Sequence, residues 1–113
     1  MNALQMFEDV KNQEIEVRTW IAEGDLTFNE MIEYVDLLDE AYRVADEALF
    51  LDAIHADICN EIADLSARLI EAWHGELYNV ARFYARQIDA LEIELSEVEI
   101  ALNAMFDEMY GEA

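Results

Sequence analysis

The sequence contains no proline, only three glycines and a single cysteine. A β-rich fold needs many tight turns, which proline and glycine usually supply, so their scarcity argues against such a fold. Cys59 has no second cysteine for an internal disulfide, and it gives no sign of an oxidising compartment. The first ten residues lack the basic and apolar regions of a signal peptide, and no apolar run reaches membrane-spanning length. We therefore expect a cytoplasmic protein.

Basic residues are equally scarce, because 6 lysines and arginines stand against 27 acidic residues, a net charge of −21. Direct electrostatic binding to nucleic acid or to an anionic membrane needs patches of Lys and Arg, so we expect neither as a partner. Hydrophobic residues make up 55% of the 113 residues, which is enough to build a core. We therefore expect a single acidic helical domain over residues 1–113.

Apolar residues recur at alternating spacings of three and four, the pattern of helices that pack along a coiled-coil-like seam. Gly24 is placed to end a first helix over roughly residues 3–23. The segment Thr27-Phe28-Asn29-Glu30 is a capping box that starts a second helix. The seams that follow are Met31, Val35, Leu38, Tyr42, Ala45 and Leu49; then Leu51, Ile54, Ile58, Ile62, Leu65, Leu69 and Ala72; and finally Ile88, Leu91, Leu95, Val98, Leu102, Met105 and Met109.

The second of these stripes differs in phase from the first, which predicts a bend or short break near residues 49–52. Gly75 either ends the next helix or lies within a longer one. The predicted fold is all-α: a helical bundle, or an elongated stack, of about four helices with short connections.

The negative charge is concentrated in two blocks of the sequence. Residues 25–64 carry 12 acids against Arg43 alone, net −11, and residues 88–113 carry 8 acids and no base. Residues 65–87 carry three arginines against two acids, net +1, together with four aromatic residues. We expect this segment to be the best-buried part of the chain or a self-association surface, with Arg82 and Arg86 paired to acids of a neighbouring helix.

Acidic residues of the second and third predicted helices fall on faces that point away from the apolar seams. Such acids recur every ~5–6 Å along a helix, and B-DNA carries a phosphate every ~3.4 Å on each strand. Two neighbouring acidic helices would therefore present a charge ladder of comparable density. The predicted contact surface comprises Glu33, Asp36, Asp39, Glu40, Asp46, Glu47, Asp57, Glu61 and Asp64.

The sequence predicts no catalytic site, no metal site and no cofactor. Asp52-Ala-Ile-His55 and Glu71-Ala-Trp-His74 partly match the Glu-x-x-His steps of di-iron bundles. If one helix holds both steps, however, they lie ~28 Å apart and cannot share a metal. Cys59 follows His55 by four residues, as a nucleophile and its base would, but a small buried hydrophobe is the better interpretation.

The last predicted helix carries Ile93 and Ile100 on the side opposite its seam. A helix that is apolar on two faces either is central in a bundle or contributes to a second interface. This second face favours a homodimer formed through Ile93 and Ile100. It also supports an alternative function, in which the chain is a helical adaptor or chaperone-like protein and its acids serve solubility.

In size, acidity and helicity the chain resembles the antirestriction and anti-CRISPR DNA mimics of bacteriophages. The resemblance covers the whole chain and includes the acid ladders at 33–47, 57–64 and 89–99. It implies inhibition of a basic nucleic-acid-binding protein by occupation of its DNA or RNA channel, in the cytoplasm of a bacterial host. Halophilic adaptation is an alternative explanation of the acidity. It should distribute acidic residues evenly along the chain, but residues 65–87 carry only two acids against three arginines.

Overall fold

A computed structural model describes residues 2–111, and over this range the chain forms three helices and no strand. The helices are α1 (Ala3–Glu23), α2 (Phe28–His74) and α3 (Tyr78–Tyr110). The all-α prediction is confirmed. The prediction of about four helices is wrong, because its second and third helices are one.

Both ends of α1 are fixed by short-range hydrogen bonds. The Asn2 side chain accepts a 2.8 Å hydrogen bond from the backbone N–H of Gln5, which satisfies one of the free donors of the first turn. Gly24 follows the helix with φ 75°, a left-handed conformation that glycine adopts without steric penalty. The helix therefore ends where the sequence predicted.

The start of α2 is the predicted capping box, in which the Glu30 N–H donates to Thr27 Oγ1 and the Thr27 N–H donates to Glu30 Oε1. From Phe28 the helix continues for 47 residues, through the predicted break at 49–52. No proline or glycine interrupts residues 28–74, so nothing in the backbone requires a break there. The apolar stripe changes phase because the two parts of the helix pack in different units.

The turn between α2 and α3 takes only three residues and follows the Schellman pattern. The Leu77 N–H donates to the Ala72 carbonyl over 2.9 Å, and the Glu76 N–H donates to the Trp73 carbonyl over 3.1 Å. The left-handed residue of this motif is Glu76, with φ 61°, and not Gly75. Gly75 therefore follows the last helical residue, but it does not occupy the position that favours glycine.

The internal contacts of the chain divide into two compact units, and each is described by itself. The first comprises the described residues up to Phe50 and from Asn103 onward, and the second is Leu51–Leu102. The single domain expected over residues 1–113, which would unfold in one cooperative step, stays a prediction.

The first unit has its core along α1. Met6 and Val10 are fully buried, and the other buried residues of the unit are Ala3, Val17, Val44, Ala45 and Ala48. The Phe7 and Tyr42 rings pack edge to face with centroids 5.8 Å apart, and the Lys11 ammonium lies 5.2 Å from the Phe7 ring centre. The core is thus built largely from small side chains, which allow close approach of helices.

The second unit contains only two helical segments, 51–74 of α2 and 78–102 of α3. Its buried residues are Ile58, Leu65, Ala72, Ala81 and Leu102, which fall on one stripe of each segment, as a single interface between two helices requires. The predicted seam positions Ile88, Leu91, Leu95 and Val98 are partly buried along the same interface. A pair of helices can cover only one stripe on each, so most of the surface of this unit remains exposed.

Candidate partner-binding acidic face

All nine acids of the predicted contact surface lie on α2, and all nine are exposed. Six belong to the first unit and three to the second. We call this set the acidic face: Glu33, Asp36, Asp39, Glu40, Asp46, Glu47, Asp57, Glu61 and Asp64.

In the first unit, the six acids project from one side of α2, within roughly 140° of its circumference at 3.6 residues per turn. Arg43 lies in the middle of them. Its guanidinium contacts Glu40 Oε2 at 3.1 Å, Glu47 Oε2 at 3.2 Å and Glu108 Oε1 of α3 at 3.1 Å. This single base therefore pairs with two acids of the face and with a third from another helix.

The electrostatic consequences of Arg43 are local. Its hydrogen bonds hold the pKa of the Glu40 carboxyl below its ordinary value. Glu40, followed by Glu108 and Glu47, raises the pKa of Arg43 itself, so the guanidinium is positively charged at every relevant pH. The pairs are solvent-exposed, so each contributes little to stability, but together they fix where positive charge interrupts the face.

In the second unit, Asp57, Glu61 and Asp64 form one exposed line along α2, with spacings of four and three. Arg68 ends this line, and its Nε lies 3.2 Å from Asp64 Oδ2. Asp57 and Glu61 have no ion-pair partner among residues 2–111.

Six acids of the face are therefore uncompensated by any cation in the described part of the chain: Glu33, Asp36, Asp39, Asp46, Asp57 and Glu61. Exposed carboxylates at this spacing can accept hydrogen bonds and ion pairs from arginine and lysine side chains. This chemistry attracts a basic surface and requires no reaction.

The near-neutral segment 65–87 is not the best-buried part of the chain. Trp73 is 59% exposed and Phe83 is 58% exposed, and Ile70 and Leu77 are similarly open. The expectation of burial was wrong because only two helices meet in this unit and leave these side chains uncovered. The alternative expectation, a self-association surface, stays a prediction. The expected ion pairs are missing as well: Arg82 donates to Asn79 Oδ1, and neither Arg82 nor Arg86 pairs with an acid among residues 2–111.

Cys59, His55 and Glu99 lie in a row within the second unit. Cys59 Sγ is 3.8 Å from His55 Nδ1, and His55 Nε2 is 3.2 Å from Glu99 Oε1. The order is that of a thiol, its base and an orienting carboxylate. However, Cys59 lies in the middle of α2, where the backbone N–H groups of its own helix are already hydrogen-bonded and offer no oxyanion donors.

Both carboxylate-x-x-His steps lie on α2, 19 residues apart, so about 28 Å of helical rise separates them. They cannot converge on one metal ion. Among residues 2–111, no group of three or more His, Cys, Asp or Glu side chains could hold a metal.

Sequence reasoning missed the hydrogen bonds that join the helices of the first unit. Tyr42 donates to Glu14 of α1, and Tyr110 of α3 donates to Asp9 over 2.6 Å. Both carboxyl groups consequently have lowered pKa values, Asp9 chiefly through Tyr110 and Glu14 chiefly through Tyr42. The pairing of Arg43 with Glu40 and Glu47 could be predicted from their spacing of three and four residues. The two tyrosine–carboxylate pairs join residues that are far apart in the sequence, so no local pattern predicts them.

Ile93 and Ile100 are 63% and 69% exposed, on the side of α3 away from the interface with α2. The second apolar face of the last helix is therefore present.

Comparison with protein-family models, with curated protein sequences and with solved structures gave no match. None of the helices within residues 2–111 has both the length and the apolarity that crossing a bilayer requires.

Proposed function

We propose that this chain is an acidic nucleic-acid mimic, which occupies the basic DNA- or RNA-binding channel of another protein in the cytoplasm and so inhibits it. The observation that carries the proposal is the set of six exposed, uncompensated carboxylates of the acidic face. A channel that binds phosphates presents arginine and lysine side chains, and these also form ion pairs and hydrogen bonds with carboxylates.

The net charge of −21 supports fast association with such a target. Opposite charges steer two proteins together, and the rate falls steeply as salt is added. The inhibitor would therefore compete with nucleic acid for one surface, and either ligand would exclude the other.

The test compares two variants that remove the same charge from different places. The face variant carries Glu33→Gln, Asp36→Asn, Asp39→Asn, Asp46→Asn, Asp57→Asn and Glu61→Gln. The matched control neutralises six exposed acids outside the acid ladders: Glu8, Glu16, Glu23, Asp25, Glu71 and Asp107.

Each tagged protein is used as bait in bacterial lysate at low salt, with duplex DNA or single-stranded RNA added as competitor. We expect the unmodified chain and the control to retain a basic nucleic-acid-binding protein, which one competitor and moderate salt both displace. The face variant should lose it. The proposal is overturned if neither nucleic acid displaces the partner and the face variant binds it as well as the unmodified chain does. The nucleic acid that displaces the partner more effectively distinguishes DNA mimicry from RNA mimicry.

The exposure of Ile93 and Ile100 favours a second candidate function, that of a helical adaptor or chaperone-like protein. In that case Ile93→Ser with Ile100→Ser should abolish capture of the partner, and the face variant should bind unchanged.

A further inference from the structure

The outer surface of α3 carries a second regular stripe, which has no partner within its own unit. Its residues follow one another at spacings of 3, 4, 3, 4 and 3, and all six are exposed. This outer stripe consists of Phe83, Arg86, Ala90, Ile93, Glu97 and Ile100. Two helices leave this side of α3 uncovered, although its spacing is that of a packed helical seam.

The order of residues along the outer stripe is complementary to itself when reversed. In an antiparallel pair of α3 helices centred between Leu91 and Glu92, Phe83 lies opposite the partner's Ile100, Ala90 opposite the partner's Ile93, and Arg86 opposite the partner's Glu97. Each phenylalanine thus meets an isoleucine, and each alanine meets the other isoleucine. Arg86 and Glu97, the two charged residues of the stripe, meet each other. An interface with a two-fold axis requires this kind of self-complementarity.

We propose that the outer stripe is the docking surface for a second copy of this chain, arranged antiparallel. The two central layers place isoleucine against alanine, the outer layers place phenylalanine against isoleucine, and two equivalent Arg86–Glu97 ion pairs lie between them. This inference does not depend on the proposed function, because the acidic face on α2 takes no part in it.

The residues that border the stripe agree with the antiparallel arrangement. There Asp89 comes beside the partner's Ser96, Gln87 beside the partner's Glu94, and no two acids meet. In a parallel pair, Asp89 would meet the partner's Glu94, and Arg86 and Glu97 would each meet their own kind. Charge therefore selects the orientation.

Exposed apolar side chains supply the centre of the interface. Phe83, Ile93 and Ile100 are each more than half exposed. A standard interface takes ~800 Å² from each partner, and its core is apolar and poor in charged residues. These three side chains, together with Ala90, provide such a core on the outer stripe.

The test is sedimentation equilibrium on the full chain and three variants: Arg86→Glu, Glu97→Arg and the double exchange. We expect a dimer of the unmodified chain at micromolar concentrations. Each single change places two like-charge pairs in the interface and should raise the dissociation constant at least about tenfold. The double change restores both ion pairs with reversed polarity, so its dissociation constant should return to within about threefold.

General charge repulsion cannot produce this result. Arg86→Glu makes the chain more negative and Glu97→Arg makes it less negative, so only the loss of a specific ion pair weakens dimerisation of both single variants.

Circular dichroism would check that each exposed substitution leaves the helices intact. The inference is overturned if the unmodified chain stays monomeric up to its solubility limit, if only one single variant weakens the dimer, or if the double variant fails to recover. Capture of a nucleic-acid-binding target by the acidic face is a separate measurement, so the two proposals fail independently.

Discussion

The hydroxyl of Tyr110, near the end of α3, donates a 2.6 Å hydrogen bond to the carboxylate of Asp9 in α1, 101 residues earlier. It joins the first and last helices of the first unit. Burial, together with the negative charge and hydrogen bond of Asp9, raises the pKa of Tyr110 to about 12.

This raised pKa predicts a loss of stability at alkaline pH. Between the ordinary tyrosine pKa of about 10 and the folded value, the unfolded chain releases a proton that the native chain keeps, so stability falls as pH rises. Absorbance of tyrosinate should show a component that titrates near pH 12 and that Tyr110→Phe removes. If the component that Tyr110→Phe removes titrates instead near the ordinary tyrosine pKa of about 10, the hydrogen bond does not exist in solution.

The lowered pKa of Asp9 has the opposite consequence at acid pH. A carboxyl whose pKa falls on folding contributes stability above its unfolded pKa, and this contribution disappears as pH drops through the folded value. Asp9→Asn should therefore lower the melting temperature at neutral pH, and its difference from the unmodified chain should shrink below about pH 4. Glu8→Gln, the neighbouring exposed acid, serves as control and should show no such difference.

Arg43 should matter most when salt is low. Replacing it by glutamine leaves Glu40, Glu47 and Glu108 without their shared cation, which increases repulsion in the first unit. We expect Arg43→Gln to lower the melting temperature in dilute buffer and to approach the unmodified chain near 1 M salt, where charges are screened beyond ~3 Å. Arg18→Gln, which removes a base with one partner, should have a smaller effect, and an equal effect would refute the shared role.

The α2–α3 turn offers a stabilising substitution. Glu76 has φ 61°, and a side chain in this left-handed conformation costs roughly 1–2 kcal/mol that glycine avoids. Glu76→Gly should raise the free energy of unfolding by about 0.5–1 kcal/mol. Gly24→Ala should lower it by a similar amount, since Gly24 has φ 75°. Chemical denaturation measures both, and a destabilised Glu76→Gly variant would contradict the expectation.

The small core of the first unit makes Met6 its most sensitive position. Met6 is fully buried, so Met6→Ala should lower the free energy of unfolding by about 2–5 kcal/mol. Phe28, a larger residue that is 71% exposed, provides the matched comparison. Urea denaturation should show less than about 0.5 kcal/mol for Phe28→Ala.

The ends of helices and the direction of their apolar faces were predictable from the sequence. Gly24 and the Thr27–Glu30 capping box each act over a few residues, and the α3 seam repeats at regular short spacings, so all three are visible in the local sequence. Asn2, the cap of α1, was not predicted. The change of phase near residue 50 was visible too, but its interpretation as a break was wrong. A long helix can change partners without interruption when no proline or glycine intervenes.

Burial and long-range pairing were less predictable. An apolar residue such as Trp73 is buried only if another element covers it, and periodicity does not say how many helices share a unit. The nine acids were correctly expected to be exposed, because charged side chains are rarely buried. Their role as a binding surface stays a proposal.

The ammonium that lies over the Phe7 ring belongs to Lys11, the only lysine in the sequence. Amine-directed reagents therefore have a single side-chain target, and it lies on α1. Neither the carboxylates of the acidic face nor the outer stripe of α3 contains a group that such reagents modify. A biotin or fluorophore attached at Lys11 would consequently leave both proposed surfaces chemically intact, so the same labelled preparation could be immobilised for target capture and followed for self-association.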